Sequence, residues 1–230
     1  MSTILFFNGL EVPLICSGED FLNLAVVADI LRGSGAFFMR RTFRGDDLYK
    51  SIFYEYVRHL TKDRQIMEFF IEGTRSRSNK ILAPKYGFMS VCSRVFFEKE
   101  VEDITFVPVT LNYTRTLESE SFLGELRGSE KVKESLGRIV SAVEVLRTNL
   151  GTMYVDFQDP IQLSQYTAEM RKANPSLDPF KNKKDQMQIN EKLAHDIVFK
   201  LQGALRMMST TMVASIIMLY RKGITKAELK

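Results

Sequence analysis

The chain has 230 residues, 45% of them apolar and 26% charged, which excludes a disordered or fibrous protein and fits one folded domain or one and a half. A net charge of +4 is too small to choose among nucleic acid, a membrane surface and an anionic small molecule. The two cysteines, Cys16 and Cys92, are far apart and lack metal-ligand spacing, which excludes a disulfide framework and a metal knuckle. They read as small core residues of a protein in a reducing compartment.

The first residues carry no basic segment and no long apolar run, so no signal peptide is expected. Val12 to Cys16 is strand-like. Ser17 to Asp20 then offers helix caps, and Phe21, Leu24, Ala25, Ala28 and Leu31 recur at helical spacing. Gly33-Ser34-Gly35 closes that helix, and Ala36 to Met39 predicts the next strand. Asp46-Asp47 caps a helix whose apolar face is expected to be Leu48, Ile52, Tyr56 and Leu60. Ile66 to Ile71 predicts a third strand. Tyr86 to Phe97 predicts a helix, and Ile104 to Tyr113 a strand with Pro108 marking an edge, bulge or kink. A helix over Glu130 to Leu150 and a strand over Met153 to Phe157 follow.

This alternation predicts an α/β fold with a mixed, largely parallel sheet flanked by helices. Residues 1–170 form the expected main domain, and 171–185 a basic linker rich in Pro and Asn. Residues 186–230 are the start of a helical C-terminal unit. Met207 to Tyr220 is apolar but shorter than the ~20 residues a spanning helix needs, and reads as a buried or interface helix.

In parallel sheets ligands bind beyond the carboxyl ends of the strands. Arg40-Arg41 and Glu72-Gly73-Thr74-Arg75-Ser76-Arg77 both fall there and are expected to share one crevice. Arginine forks match phosphate or carboxylate oxygens, Gly73 lets the backbone approach, and Thr74, Ser76 and Ser78 add hydroxyl donors. The cluster is a phosphate cradle or a loop whose arginines pair with surface carboxylates. No Walker loop, dinucleotide loop or nucleophile elbow is present.

Three stretches resemble the conserved blocks of the glycerolipid acyltransferases. Gly35-Ala36-Phe37-Phe38-Met39-Arg40-Arg41 is similar to their second block. Phe70-Ile71-Glu72-Gly73-Thr74-Arg75-Ser76-Arg77 is similar to the third, and Val107-Pro108-Val109-Thr110-Leu111-Asn112-Tyr113 to the fourth. The resemblance runs from about Val12 to Pro160, with a weaker echo in the tail, and implies a glycerol-3-phosphate acyltransferase-like fold with 1–170 as the acyltransferase domain. It implies acyl transfer from acyl-CoA, a co-substrate rather than a cofactor, to the hydroxyl of a phosphorylated three-carbon acceptor. The runs around Gly35 and Leu48 are most similar to members acting on dihydroxyacetone phosphate, in ether-lipid and glycerolipid synthesis; glycerol 3-phosphate is the alternative acceptor.

Carried over, Arg41, Arg75 and Arg77 hold the phosphate. Glu72, Gly73 and Thr74 shape the floor of the pocket and orient the acceptor, Ser76 belongs to the same substrate-binding block, and Pro108 lines the acyl or acceptor side. No metal site is implied. The first block, H-x-x-x-x-D, supplies the general base of the family and is absent here. His59 is followed by Arg64 at that spacing and His195 by Lys200, and both read as helix-surface histidines. The resemblance therefore implies a chain lacking its N-terminal block, with no catalytic residue assigned. The alternative is a non-catalytic phosphate or CoA-binding module, or a partner of a full-length enzyme. Nucleic acid is not an expected partner. A peripheral membrane surface is expected, peroxisomal by resemblance, with mitochondrial or endoplasmic reticulum membrane as alternatives.

Overall fold

Strands β1 (Leu14–Gly18), β2 (Ala36–Met39) and β3 (Met67–Glu68) form a parallel sheet in the order β2-β1-β3. The computed structural model describes residues 1–230 except 24, 44, 75, 77–79, 115–150, 221, 226 and 228–230. The helix expected over Glu130 to Leu150, like Arg75 and Arg77, lies outside the described residues. Two compact units are present, Met1–Phe106 with Pro160–Val198, and Val107–Asp159 with Phe199–Lys230.

The first unit begins with α1 (Ser2–Phe7) and contains the parallel sheet. Register pairs Gly18 of β1 with Met39 of β2, and Ile15 of β1 with Glu68 of β3. A 3-10 turn (Glu19–Asn23) and α2 (Ala25–Gly33) follow β1, and Gly35 at φ +92° turns the chain into β2. Helix α3 (Asp47–Lys62) starts where Asp46 accepts a 2.9 Å bond from the Tyr49 amide, a side-chain N-cap. Helix α4 (Gly87–Phe97) buries Phe88, Cys92 and Val95, spaced for one face. These helices close the core over β1. Cys16, Phe53, Val57, Phe88 and Cys92 form its centre, ringed by Phe37, Met39, Tyr49, Met67 and Phe69. Both thiols are buried and free, and burial pushes each up to about 12, which makes them inert core residues, as expected.

The face of α3 differs from the expected one. Leu48, Ile52 and Tyr56 are 73%, 60% and 44% exposed, whereas Phe53 and Val57 are buried. Two apolar stripes run along this helix at spacing four. The stripe with Tyr49 and Phe53 wins because both rings pack on Phe43, and Phe53 also meets Phe88. The third strand is also shorter than expected, since β3 pairs β1 at only two positions and leaves Phe69 to Ile71 outside the ladder.

The expected strand from Ile104 to Tyr113 is two strands. Thr105–Phe106 (β4) pairs antiparallel with β7 (Ile161–Gln162) in the first unit. Val109–Tyr113 (β5) pairs antiparallel with β6 (Met153–Phe157) in the second. Pro108, which has no N–H to give a ladder, stands at the break. Helix α5 (Leu163–Ala173) is capped from outside by Asp103, whose carboxylate accepts from the Ser164 amide at 2.9 Å and its hydroxyl at 2.5 Å. Between α5 and α6 (Lys183–Gly203), Leu177 is buried and the Phe180 ring packs edge-on against Phe96 and Phe97. The Tyr166 hydroxyl donates to Asp196 at 2.6 Å, joining α5 to α6.

In the second unit Arg206 forks onto Asp156 at 2.7 and 2.5 Å, and its amide donates to Asn112 at 3.2 Å, which ties the chain before α7 (Ser209–Leu219) to both strands. Helix α7 buries none of its residues, so of the two expectations for Met207 to Tyr220, a buried or an interface helix, the buried one is corrected. Among the described residues no helix is long and apolar enough to cross a membrane.

Candidate functional site

The carboxyl ends of β2, β1 and β3 lie along one edge of the parallel sheet. Arg40 and Arg41 leave β2 there, Glu19 and Asp20 leave β1, and the segment Phe69 to Thr74 leaves β3.

The two arginines are used differently. Arg40 is locked. Its guanidinium bonds Asp46 at 2.6 Å, lies 4.4 Å over the Tyr49 ring, and comes within 3.9 Å of Glu19. Its amide also donates to the Tyr49 hydroxyl at 3.1 Å. Asp46 is thus both the cap of α3 and the anchor of Arg40. The Tyr49 amide first and Arg40 second hold its carboxyl below the ordinary range. Arg41 makes one tie among the described residues, to Asp20: Nε donates to Oδ2 at 3.0 Å, and Nη2 donates to the same oxygen. Both side chains of this pair are half exposed.

The turn after β3 is stitched at its neck. The Gly73 amide donates to the Phe70 carbonyl at 3.0 Å, and the Lys85 amide to the Ile71 carbonyl at 2.7 Å. Glu72 accepts a 2.8 Å bond from the Leu82 amide, so its carboxylate ties the turn to Leu82 further along the chain. Gly73 has φ +60°, a left-handed conformation that favours glycine, and a Cβ there would meet Lys85 at 3.0 Å. Thr74 is exposed and Ser76 half-buried. Pro108 is buried in the second unit, and its carbonyl accepts from the Gln158 amide at 2.9 Å.

Glu68, the last residue of β3, is not singled out by its sequence. Its Oε2 is buried without a hydrogen-bond partner among the described residues, and burial holds its carboxyl above the ordinary range. The sequence shows it only as one acid in an apolar run. Asp20 reads from sequence as a first-turn residue. It is one, in the 3-10 turn, and it also faces Arg41 because the β1–β2 register carries on past the strand ends. His59 and His195 lie exposed on α3 and α6, and His195 Nδ1 is 2.8 Å from the Glu191 carbonyl of its own helix. Among the described residues no group of His, Cys, Asp and Glu could hold a metal ion.

Known proteins match this chain in sequence. An acyltransferase family model matches residues 1–112, and a model of the glycerol-3-phosphate acyltransferase C-terminal region matches residues 122–230. The dihydroxyacetone phosphate acyltransferase of Oryctolagus cuniculus is 39% identical over 204 residues, which are 88% of this chain and 30% of that protein. The Homo sapiens protein of the same name is 38% identical over 204 residues, again 88% of this chain and 30% of that one. The glycerol-3-phosphate acyltransferase of Pseudomonas entomophila (strain L48) is 42% identical over 171 residues, 74% of this chain and 20% of that protein. The chain belongs to the glycerolipid acyltransferase family. It spans less than a third of the length of these relatives.

Proposed function

We propose that this chain forms the acceptor-holding part of an acyl-CoA-dependent O-acyltransferase acting on dihydroxyacetone phosphate, with glycerol 3-phosphate as the alternative acceptor. One observation carries the reading. Arg41 and the stitched turn at Glu72-Gly73-Thr74 leave the same edge of one parallel sheet, on either side of β1. An anion at that edge would meet a guanidinium from one side and a hydroxyl-bearing loop from the other, a geometry suited to phosphate. In this proposal Arg41, Arg75 and Arg77 bind the phosphate, and Thr74 and Ser76 add donors. Glu72 and Gly73 hold the loop in shape.

In the reaction the acceptor hydroxyl oxygen attacks the thioester carbonyl of acyl-CoA. A C–O bond forms, the C–S bond breaks, and coenzyme A leaves as the thiol with the hydroxyl proton. No residue of this chain is proposed as the base that moves that proton. General-base help is typically worth ~10²–10⁴-fold, so the chain alone is expected to bind acceptor with little or no turnover. The proposed setting is a membrane surface, peroxisomal by family resemblance. The exposed apolar residues of α7, among them Ile217, Met218 and Leu219, support surface contact.

The test uses the purified chain. Titration with dihydroxyacetone phosphate is expected to saturate and to be lost in Arg75→Ala, while acyl transfer from acyl-CoA stays at background. Binding that survives Arg75→Ala contradicts the phosphate assignment, and brisk turnover contradicts the absence of a base.

A further inference from the structure

We propose that Asp20 is an internal competitor for Arg41: a resident carboxylate seated on the edge of the guanidinium that the acceptor phosphate uses, so that binding exchanges one anion for another. The inference rests on the acceptor reading above and goes beyond it, because it makes Asp20 a determinant of acceptor affinity.

Register supplies the placement. Gly18 pairs with Met39 in the parallel β1–β2 ladder, so two residues further on Asp20 comes opposite Arg41, and Glu19 opposite Arg40. The contacts agree, since Arg41 meets Asp20 and Arg40 comes within 3.9 Å of Glu19. The two pairs then diverge. Arg40 has Asp46 and the Tyr49 ring besides, and is fixed as part of the scaffold. Arg41 has Asp20 alone among the described residues, and both its Nε and Nη2 point at one carboxylate oxygen.

Nε and Nη2 form the side-on edge of the fork, the edge that takes two oxygens of a phosphate at once. A phosphate using that edge must displace Asp20. A phosphate using the other edge keeps a carboxylate a few ångströms from its own charge. Asp20 therefore opposes binding in either geometry. The exchange is feasible because the pair is in water: the side chains of Arg41 and Asp20 are 56% and 54% exposed, and exposed ion pairs are weak. A phosphate of roughly −1.5 charge about 6 Å from a carboxylate, at a water-like dielectric, loses on the order of fivefold in affinity.

The experiment titrates the chain with inorganic phosphate at low ionic strength, following amide shifts. Asp20→Asn and Asp20→Ser are both expected to bind about fivefold tighter than the unaltered chain, with the gain shrinking as salt screens the charge. Arg41→Ala is expected to lose the binding with or without Asp20→Asn. Equal or weaker binding in both Asp20 variants overturns the inference and makes Asp20 an orienting residue. Phosphate binding that is lost in Arg75→Ala but unchanged in Asp20→Asn overturns the inference alone. No phosphate binding by any variant overturns the acceptor reading and the inference together.

Discussion

Gly73→Ala probes the neck of the segment proposed to bind phosphate. The residue has φ +60°, and a left-handed conformation costs an L-residue about 1–2 kcal/mol. The added Cβ would lie 3.0 Å from Cδ of Lys85, a methylene on a flexible stem that can move aside, so the steric part adds little. The total is about 1–2 kcal/mol, most of it backbone, a drop of roughly 2–8 °C in melting temperature for a chain of this size. Gly9→Ala is the control: φ is +69° and a Cβ there meets nothing within 4 Å. It shares the backbone cost without touching the neck. Urea melts of both variants are expected to shift by similar amounts, whereas phosphate affinity is expected to fall in Gly73→Ala alone. Gly73→Ala with unchanged stability would refute the strain argument. Equal phosphate affinity in the two variants would refute the claim that the neck positions the loop.

Two further predictions concern the core. Glu68 has its folded-state pKa raised by burial, so the chain loses stability as pH rises through the window above the ordinary glutamate value of about 4.3. Glu68→Gln is therefore expected to be more stable than wild type at pH 7, with the advantage fading toward pH 4; melts showing no gain at pH 7 would count against it. Phe53→Ala, emptying a buried site among Phe43, Tyr49 and Phe88, is expected to cost about 3–5 kcal/mol, while Ile52→Ala on the exposed face stays within about 0.5 kcal/mol. Comparable losses in the two variants would mean that the buried face of α3 is misassigned.

Features decided by local interactions are legible in the sequence, and features decided by distant partners are not. Strand β2 is bracketed by Gly35 and the arginines, and its observed span matches the expected one. The Asp46 cap and the start of α3 are equally plain, because capping is decided within one turn. The buried face of α3 is not, since its two apolar stripes are equivalent until Phe43 and Phe88 pack against one of them. Strand β3 is short because its length depends on how far β1 offers it a partner. The break at Pro108 carries a local signal, but the assignment of β4 and β5 to different partners does not. In the site, Arg41 and Glu72 are legible as parts of motifs. The Asp20 contact with Arg41 needs the β1–β2 register, and the Glu72 bond to Leu82 needs a partner further along the chain.

The central claim is that the edge of the parallel sheet at Arg41 and Gly73 holds a phosphorylated acceptor. The most direct measurement is a binding isotherm of the chain with dihydroxyacetone phosphate beside one with unphosphorylated dihydroxyacetone. Saturable binding of the first alone, abolished by Arg41→Ala, is the predicted result. Equal binding of both, or binding of the phosphorylated compound that Arg41→Ala leaves intact, would contradict it.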